Sequence, residues 1–431
     1  MLKRKLLAVA VTGALSTSAM ATTFHNQGSV LGYGDAGNNH TLFSNFKNPA
    51  FLGGDDTSRQ WGLGLSIGID AEYFGVADVG DNFDTLETRI NEIENNAAYY
   101  IGLGGSGIST AESDFEGALN NFFKANEDLS INLKASGSVP LVIQTTNYGG
   151  YMVSASVTTG STVNMLRYAD SDVTVTSVNP SVSYTLASGN AMIFSAFRMT
   201  EIAASYSADL NRFFKPQNGQ INAGIRLKMM NAGFNHYGMD FDDFLEDETG
   251  EFGDRVSDSI DNVTTFDETE TQMGVDLGLQ YIATNYLVGL SVENINSPSF
   301  KYNVVGNPNS NVRSTLTEDI TFEPKARLEA ATYSQNRRWT FAGFADLTKT
   351  MDITGLETQK AGVAASYASD KWLLPDIRFG YTNESAGNKM SRIHGGITVG
   401  FLSLDVAANS FEFGEDVENS LAANLSMELA F

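Results

Sequence analysis

The chain has 431 residues, no cysteine and a formal net charge of −24, from 51 Asp and Glu against 27 Lys and Arg. This composition leaves no disulfide framework, thiolate nucleophile or sulfur-ligated zinc site, and the acidic excess argues against nucleic acid, which requires a basic stripe. Aromatic residues reach 11% with 41 Gly and 8 Pro, yet mean hydropathy is slightly negative, as in a membrane barrel whose polar lumen offsets its lipid-facing half. A soluble sandwich or propeller shares the short alternating strands of such a barrel.

In chain order, Lys3, Arg4 and Lys5 precede the apolar run Leu6 to Leu15 and the small-residue stretch ending Ala19-Met20-Ala21. Residues 1–21 therefore read as a secretory signal peptide, with the mature chain expected to begin near Thr22. The apolar run falls short of the roughly 20 residues a spanning helix needs.

Residues 22–58 lack alternation and read as an N-terminal hatch or plug, containing the turn former Asn48-Pro49 between Phe46 and Phe51. A first strand is expected near 60–76. Between 82 and 128, Phe83, Leu86, Ile90 and Ile93, then Phe115, Leu119, Phe122 and Phe123, repeat at helical spacing, which predicts a helical insertion of two amphipathic helices. The glycine cluster Gly102-Leu103-Gly104-Gly105-Ser106-Gly107 between them reads as a joint. It lacks the Lys and Ser or Thr of a phosphate-binding loop.

Alternation returns near 131–143, 150–158, 173–184, 191–207 and 220–234, and again near 271–282, 286–295, 322–333, 338–347, 358–368, 375–384, 391–401, 402–411 and 420–431. With the first strand these are fifteen candidates. A single-chain bacterial barrel has an even number of strands, so fourteen are expected, with 150–158 the weakest. The fold class is thus all-β: a transmembrane antiparallel outer-membrane β-barrel over 59–431 with an N-terminal hatch and a short helical insertion. In the last strand, Leu421, Ala423, Leu425, Met427, Leu429 and Phe431 alternate with Ala422, Asn424, Ser426, Glu428 and Ala430. Such an ending suits barrel closure and recognition by outer-membrane assembly machinery through Phe431.

Strand phase separates the faces. Met273, Val275, Leu277, Leu279 and Tyr281 are expected to face lipid, and Gln272, Gly274, Asp276, Gly278 and Gln280 the lumen. The same reading makes Arg226, Lys228, Lys325, Arg327 and Arg378 candidate luminal charges, either meeting a fatty-acid carboxylate or neutralising Glu323, Glu329 and Asp376. Between Asp240 and Thr271 lie thirteen acidic residues against the single Arg255. Their spacing does not match a calcium loop, so this stretch reads as a solvated acidic loop and no metal site or cofactor is expected. Residues 298–311, with Pro298 and Pro308, read as an exposed loop tip. The four His residues, His25, His40, His236 and His394, make no triad; His394 lies near Ser391 and Asn388 without an orienting set, so no catalytic residue is assigned.

With Asn48-Pro49-Ala50 placed after the signal and before the first strand, the mature chain resembles the FadL-like family of outer-membrane barrels. The C-terminal third is similar too, through Leu356-Glu357-Thr358-Gln359-Lys360, Arg378-Phe379-Gly380-Tyr381 and Gly395-Gly396-Ile397-Thr398-Val399-Gly400. In style it most resembles the branch labelled conjugal-transfer TraF. The resemblance implies a Gram-negative outer-membrane location and a hatch that must shift for a hydrophobic ligand to pass. Asn48, Pro49 and Ala50 would gate, and Phe43, Phe46, Phe51 and Leu52 would either line an adjoining apolar pocket or simply pack the hatch against the inner wall. It equally implies a non-transporting scaffold or recognition barrel for conjugal transfer or secretion, with the surrounding lipid as its main partner.

Overall fold

The computed structural model describes residues 28–38, 41–53, 61–74, scattered positions between 82 and 99, 102–126, 129–145, 149–166, 172–178, 181–187, 190–240 without 212, 215 and 217, 259–306, 319–351, 357–409 without 370, 372 and 388, and 419–430. The signal-peptide expectation for 1–21, the acidic core of the 240–271 loop, His25, His40 and Phe431 lie outside the described residues.

Fourteen antiparallel strands close on themselves. They are β1 (Trp61–Phe74), β2 (Ser130–Thr145), β3 (Gly149–Leu166), β4 (Ala191–Asp209), β5 (Gln220–Asp240), β6 (Glu270–Ile282) and β7 (Tyr286–Glu293). The remainder are β8 (Lys325–Tyr333), β9 (Trp339–Asp346), β10 (Lys360–Tyr367), β11 (Asp376–Glu384), β12 (Ser391–Val399), β13 (Leu402–Ala408) and β14 (Asn419–Ala430). Each pairs with its sequence neighbour, and β1 pairs with β14 in a register that sets Leu63 opposite Leu429 and Ile67 opposite Leu425. Closure leaves no edge, which is the condition for strands to cross lipid.

The period of two decides what each face meets. Ile67, Val157, Ile202, Met273, Val363 and Phe379 stand on the outer face, each 48% or more exposed, while Arg226, Lys228, Asp276, Gln280 and Asp405 on the inner face are at most 2% exposed. An exposed apolar wall around a buried polar interior is the inverse of a soluble barrel and fits a membrane-spanning one. No described helix is long and apolar enough to cross a membrane.

The candidate at 173–184 is not a wall strand: Asp172–Val178 and Ser181–Ala187 form a separate two-stranded hairpin. The doubtful candidate at 150–158 belongs instead to β3, an 18-residue wall strand. Its Ser, Thr and Gly residues weaken the apolar signal, but the register from Thr145↔Gly149 to Ser130↔Asn164 pairs it along all of β2.

The wall is uneven, because β5 has 21 residues and at about 3.4 Å per residue reaches far beyond an apolar band about 25 Å tall. The upper parts of β1–β5 are therefore covered on the outer face, and those of β4 and β5 on the inner face as well. On the outside lies α1 (Gly105–Ala125), which buries Phe115, Leu119, Phe122 and Phe123 against Ile131, Met165, Met192 and Phe194. The glycine cluster is not a joint throughout, since Gly105 and Gly107 lie in the first turn of α1 and Gly104 precedes it at φ 68°. Of the first predicted helix, Leu86 is described and joins the same cluster.

On the inside, the described part of the expected loop tip, 298–306, turns toward the lumen at Phe300, and 307–311 lie outside the described residues. Phe300, Ile320 and Phe322 are fully buried with Phe197, Met199, Met230 and Phe234, and Asn303–Val305 runs parallel to β5 opposite Asn235–Tyr237. Loop residues as apolar as Phe300 and Phe322 gain more from the luminal aromatic face than from water.

Candidate functional site

Three short 3-10 turns, Gly28–Tyr33, Leu42–Phe46 and Pro49–Gly53, occupy the lumen, and nearly all their residues are buried. The polar side chains on the inner wall hold them. Asn222 Nδ2 donates to the Gly53 carbonyl at 2.6 Å, Gln144 Nε2 to the Leu52 carbonyl at 3.1 Å and Ser207 Oγ to the Ala50 carbonyl at 3.2 Å. On the other side, Glu428 accepts from the Leu42 amide at 2.7 Å and from Ser29 Oγ. His394 Nδ1 lies 2.9 Å from the Leu31 carbonyl and its Nε2 2.6 Å from Thr382 Oγ1. His394 thus supports the hatch and faces away from Ser391, whose hydroxyl donates to Asn383 on the outer face.

Asn48, Pro49 and Ala50 sit where β5, β6 and β7 each present a glycine. An added Cβ at Gly278 would lie 2.1 Å from Asn48 Oδ1, at Gly224 2.3 Å from the Ala50 amide nitrogen, and at Gly289 2.9 Å from Asn48 Nδ2. Only a wall without side chains lets the turn approach this closely. Asn48 Oδ1 accepts from the Ala50 amide at 2.9 Å, closing the turn, while its Nδ2 makes long contacts of 3.4 Å to the Leu279 and Leu290 carbonyls. The motif is therefore an anchor to the wall as well as a turn.

The four hatch apolar residues fall into three clusters rather than one pocket. Phe43 and Phe46 pack with Val30, their rings 6.2 Å apart. Phe51 packs against Leu287, Ala331, Tyr333 and Phe344, and Leu52 against Leu42, Val142 and Met152.

All five candidate basic residues are buried in the lumen and paired with carboxylates, but not with the three acidic residues anticipated. Arg226 pairs with Glu201 and donates to the Phe46 carbonyl at 3.3 Å, its guanidinium 4.8 Å from the Phe46 ring centre. Lys228 meets Asp276 at 2.7 Å. Lys325 and Arg327 both meet Asp346, at 3.0 and 2.8 Å, and Arg327 also reaches Asp35 of the hatch at 3.0 Å. Arg378 meets Asp405 at 2.8 Å and lies 5.6 Å from the Tyr33 ring centre. Glu329 instead accepts from the Gly37 amide at 3.0 Å.

Asp35 is the hatch residue that ties both sides together, since Lys47 of the hatch approaches it at 2.5 Å from the side opposite Arg327. Burial acts to raise the Asp35 carboxyl, but the Lys47 and Arg327 charges outweigh it and hold it well below the usual carboxylate range. The sequence does not single out Asp35, Glu201, Asp405, Gly224 or Gly289, and it marks Asp276 and Gly278 only as lumen-facing. Their signal was luminal phase alone, which Gly278 and Asp276 carry in β6. Among the described residues, no group of three His, Asp or Glu gathers in a way that holds a metal ion.

This hatch-plugged barrel is similar to several solved structures. The Pseudomonas putida toluene transporter TodX shares 11% identity over 96% of this chain and 99% of its own, with a TM-score of 0.44. The Ralstonia pickettii toluene transporter TbuX shares 10% identity over 95% and 100%, with a TM-score of 0.45. A Pseudomonas aeruginosa FadL homologue shares 11% identity over 96% and 100%, with a TM-score of 0.36. No curated protein matches the sequence. One family model spans residues 45–346, from the Asn48-Pro49-Ala50 turn through the insertion and on to the end of β9, and by that match the chain belongs to the family described as the F plasmid transfer operon TraF protein.

Proposed function

We propose that this protein is a gated outer-membrane channel for small hydrophobic molecules, with the hatch as its gate. The observation that carries this reading is the apolar inner wall of the upper lumen, where Phe197, Met199, Met230 and Phe234 pack against Phe300 and Phe322 of an inward-turned segment. A water-filled pore has a polar interior, whereas an apolar wall that such a segment can uncover suits an apolar solute. Asn48, Pro49 and Ala50 hold the gate closed against Gly224, Gly278 and Gly289. Arg226, Arg327 and Arg378 serve hatch docking, and all five luminal cations are already paired with carboxylates rather than offered to a substrate. TodX and TbuX are named for a solute of this class, but the reading rests on the apolar inner wall. Export through a signal peptide removed near Thr22, and assembly guided by Phe431, complete the proposed route to the membrane.

The test is uptake of labelled long-chain fatty acid and of a neutral aromatic probe into outer-membrane vesicles, with the wild type and with Pro49→Ala. Protein-dependent uptake that changes in the variant supports the gate. Absence of uptake by a folded barrel rejects it. A recognition or scaffold role in conjugal transfer is the second reading, favoured by the tall wall of β1–β5 that α1 buttresses from outside. Removal of 82–128 separates the two, because transport survives that deletion and partner recognition does not.

A further inference from the structure

Two polar side chains are buried side by side at the edge of the luminal aromatic wall. Ser195 of β4 and His236 of β5 stand directly opposite each other in the strand register, so they share one face with Cβ atoms about 5 Å apart. That face is luminal: Phe197 and Phe234, the next residues on it, belong to the inner cluster, whereas Phe194, Ala196 and Tyr237 pack outside with α1. Ser195 is 0% exposed and His236 1%, yet Ser195 Oγ and His236 Nδ1 have no hydrogen-bond partner among the described residues. Thr162, opposite Ser195 on β3, is already committed, donating to Asn132 Oδ1 at 2.6 Å. Around the pair stand Ile193, Phe197, Phe234 and Val304.

Over His236 lies the protein's own Tyr302. Its ring stacks on the imidazole with centres 3.7 Å apart and planes at 21°, and meets Phe234 edge-on at 5.5 Å. Tethered to its backbone, Tyr302 covers the ring faces and leaves Ser195 Oγ and His236 Nδ1 unserved. The segment that carries it is lightly attached. β5 runs on from Ala232, its last partner on β6, to Asp240, and 303–305 take the vacated edge in a three-residue parallel pairing. Asn303 reaches Asn235 at only 3.4 Å, and the Lys301 amide donates to Glu270 at 3.0 Å. Parallel pairs are the weaker kind, and so short a stretch opens at a fraction of the global free energy. Phe300 is anchored in the aromatic cluster, so 301–305 is the part that lifts.

We propose that Ser195 and His236 form a recognition site for a small neutral phenol, and that Tyr302 shuts it by standing where the solute ring would stack. The inference rests on the reading of the upper lumen as a path for apolar solutes and adds the class of solute. A phenol hydroxyl both donates and accepts, so it serves Oγ and Nδ1 in either imidazole tautomer while its ring takes over the stack. A hydrocarbon ring would stack but leave both polar groups buried and unserved. A carboxylate would enter among Ile193, Phe197, Phe234 and Val304 without a compensating cation.

The probe is p-cresol, which is the tyrosine side chain as a separate molecule, compared with toluene and p-toluate. A solute that displaces Tyr302 must raise amide hydrogen exchange at 301–305 of the folded barrel. The concentration of half-maximal rise is read at one fixed detergent concentration, so that partition into micelles cancels between variants. One hydrogen bond to the hydroxyl is worth about fivefold in affinity, so Ser195→Ala and His236→Phe are each expected to raise the p-cresol midpoint about fivefold and to leave that of toluene unchanged. p-Toluate is expected to give no rise. Heat-resistant migration on gels shows that each barrel is folded, and Ser195→Ala, which removes one oxygen, keeps the test open if His236→Phe does not fold. Absence of a rise with p-cresol, a midpoint that Ser195→Ala does not move, or an equal response to p-toluate overturns the proposal. Uptake is a separate readout: a barrel that passes no probe yet shows the cresol-specific shift keeps the site and loses the channel, whereas one that passes hydrophobic probes with equal midpoints in every variant keeps the channel and overturns the site.

Discussion

Replacement of Gly278 by Ala tests how the hatch is held. The new Cβ would lie 2.1 Å from Asn48 Oδ1, 2.9 Å from the Ala50 amide nitrogen and 3.0 Å from Pro49 Cδ. Two of these atoms belong to the backbone or the proline ring of one tight turn, so the turn must move as a unit. Overpacking of this kind costs about 1–3 kcal/mol, and the bond of the Ala50 amide to Asn48 Oδ1 contributes about 1 kcal/mol more if lost. A total of about 3 kcal/mol raises the undocked population on the order of a hundredfold. Gly278 is not in the left-handed region, so alanine suits the strand itself and the barrel should still close. Hydrogen exchange in the folded, membrane-inserted protein is expected to accelerate across 41–53 while β1–β14 stay protected, and entry of a hydrophobic probe is expected to rise. If exchange across 41–53 is unchanged in a folded Gly278→Ala barrel, the glycine cradle does not hold the hatch.

The remaining predictions concern the ties around that cradle and the packing above it. Arg327→Met leaves the carboxylates of Asp35 and Asp346 buried beside one fewer cation and is expected to destabilise the folded state by about 3–5 kcal/mol, read as a lower temperature for loss of heat-resistant migration. The folded Asp35 carboxyl titrates below its unfolded value, so its stabilisation is complete above about pH 4 and is lost only as pH falls through the lower folded value. The difference in hatch exchange between the wild type and Asp35→Asn, corrected for intrinsic chemistry, is therefore expected to stay constant from about pH 7 to pH 4.5 and to shrink at lower pH. Phe322→Ala removes a fully buried ring from the packed luminal cluster, costs about 3–5 kcal/mol locally and is expected to expose 299–306 to exchange. Leu119→Ala on α1, at 0% exposure, is expected to cost about 2–5 kcal/mol and, by the same exchange measurement, to free α1 without opening the barrel wall.

Strand phase made much of the barrel legible. Arg226 and Lys228 in β5, and Gly278 and Asp276 in β6, alternate with apolar residues that cannot be placed elsewhere without putting charge in lipid, at roughly 2–4 kcal/mol each. The same periodicity misled at 173–184, where alternation marks a separate hairpin as readily as a wall strand, and it undervalued β3, whose many small polar residues blur the contrast between faces. At 298–306 the reason is different. Proline and asparagine signal a turn, but nothing local reveals that Phe300 finds aromatic partners in Phe234 of β5 and in Phe322.

The hatch shows where local information stops. Asn48-Pro49 announces a turn by its own stereochemistry, and the absence of alternation before β1 announces a segment outside the wall. Which wall atoms the turn meets depends on strands more than 170 residues away, such as Gly224 and Gly278. The pairing of Arg327 with Asp35 spans a separation of 292 residues. Sequence alone determined the closed, lipid-facing barrel, because a period of two acts within each strand and a charge in hydrocarbon is costly wherever it occurs. Only the tertiary structure decided which carboxylate neutralises which luminal cation, which glycines admit the hatch and which loop fills the lumen, because those choices depend on closure of the barrel bringing distant strands to the same depth.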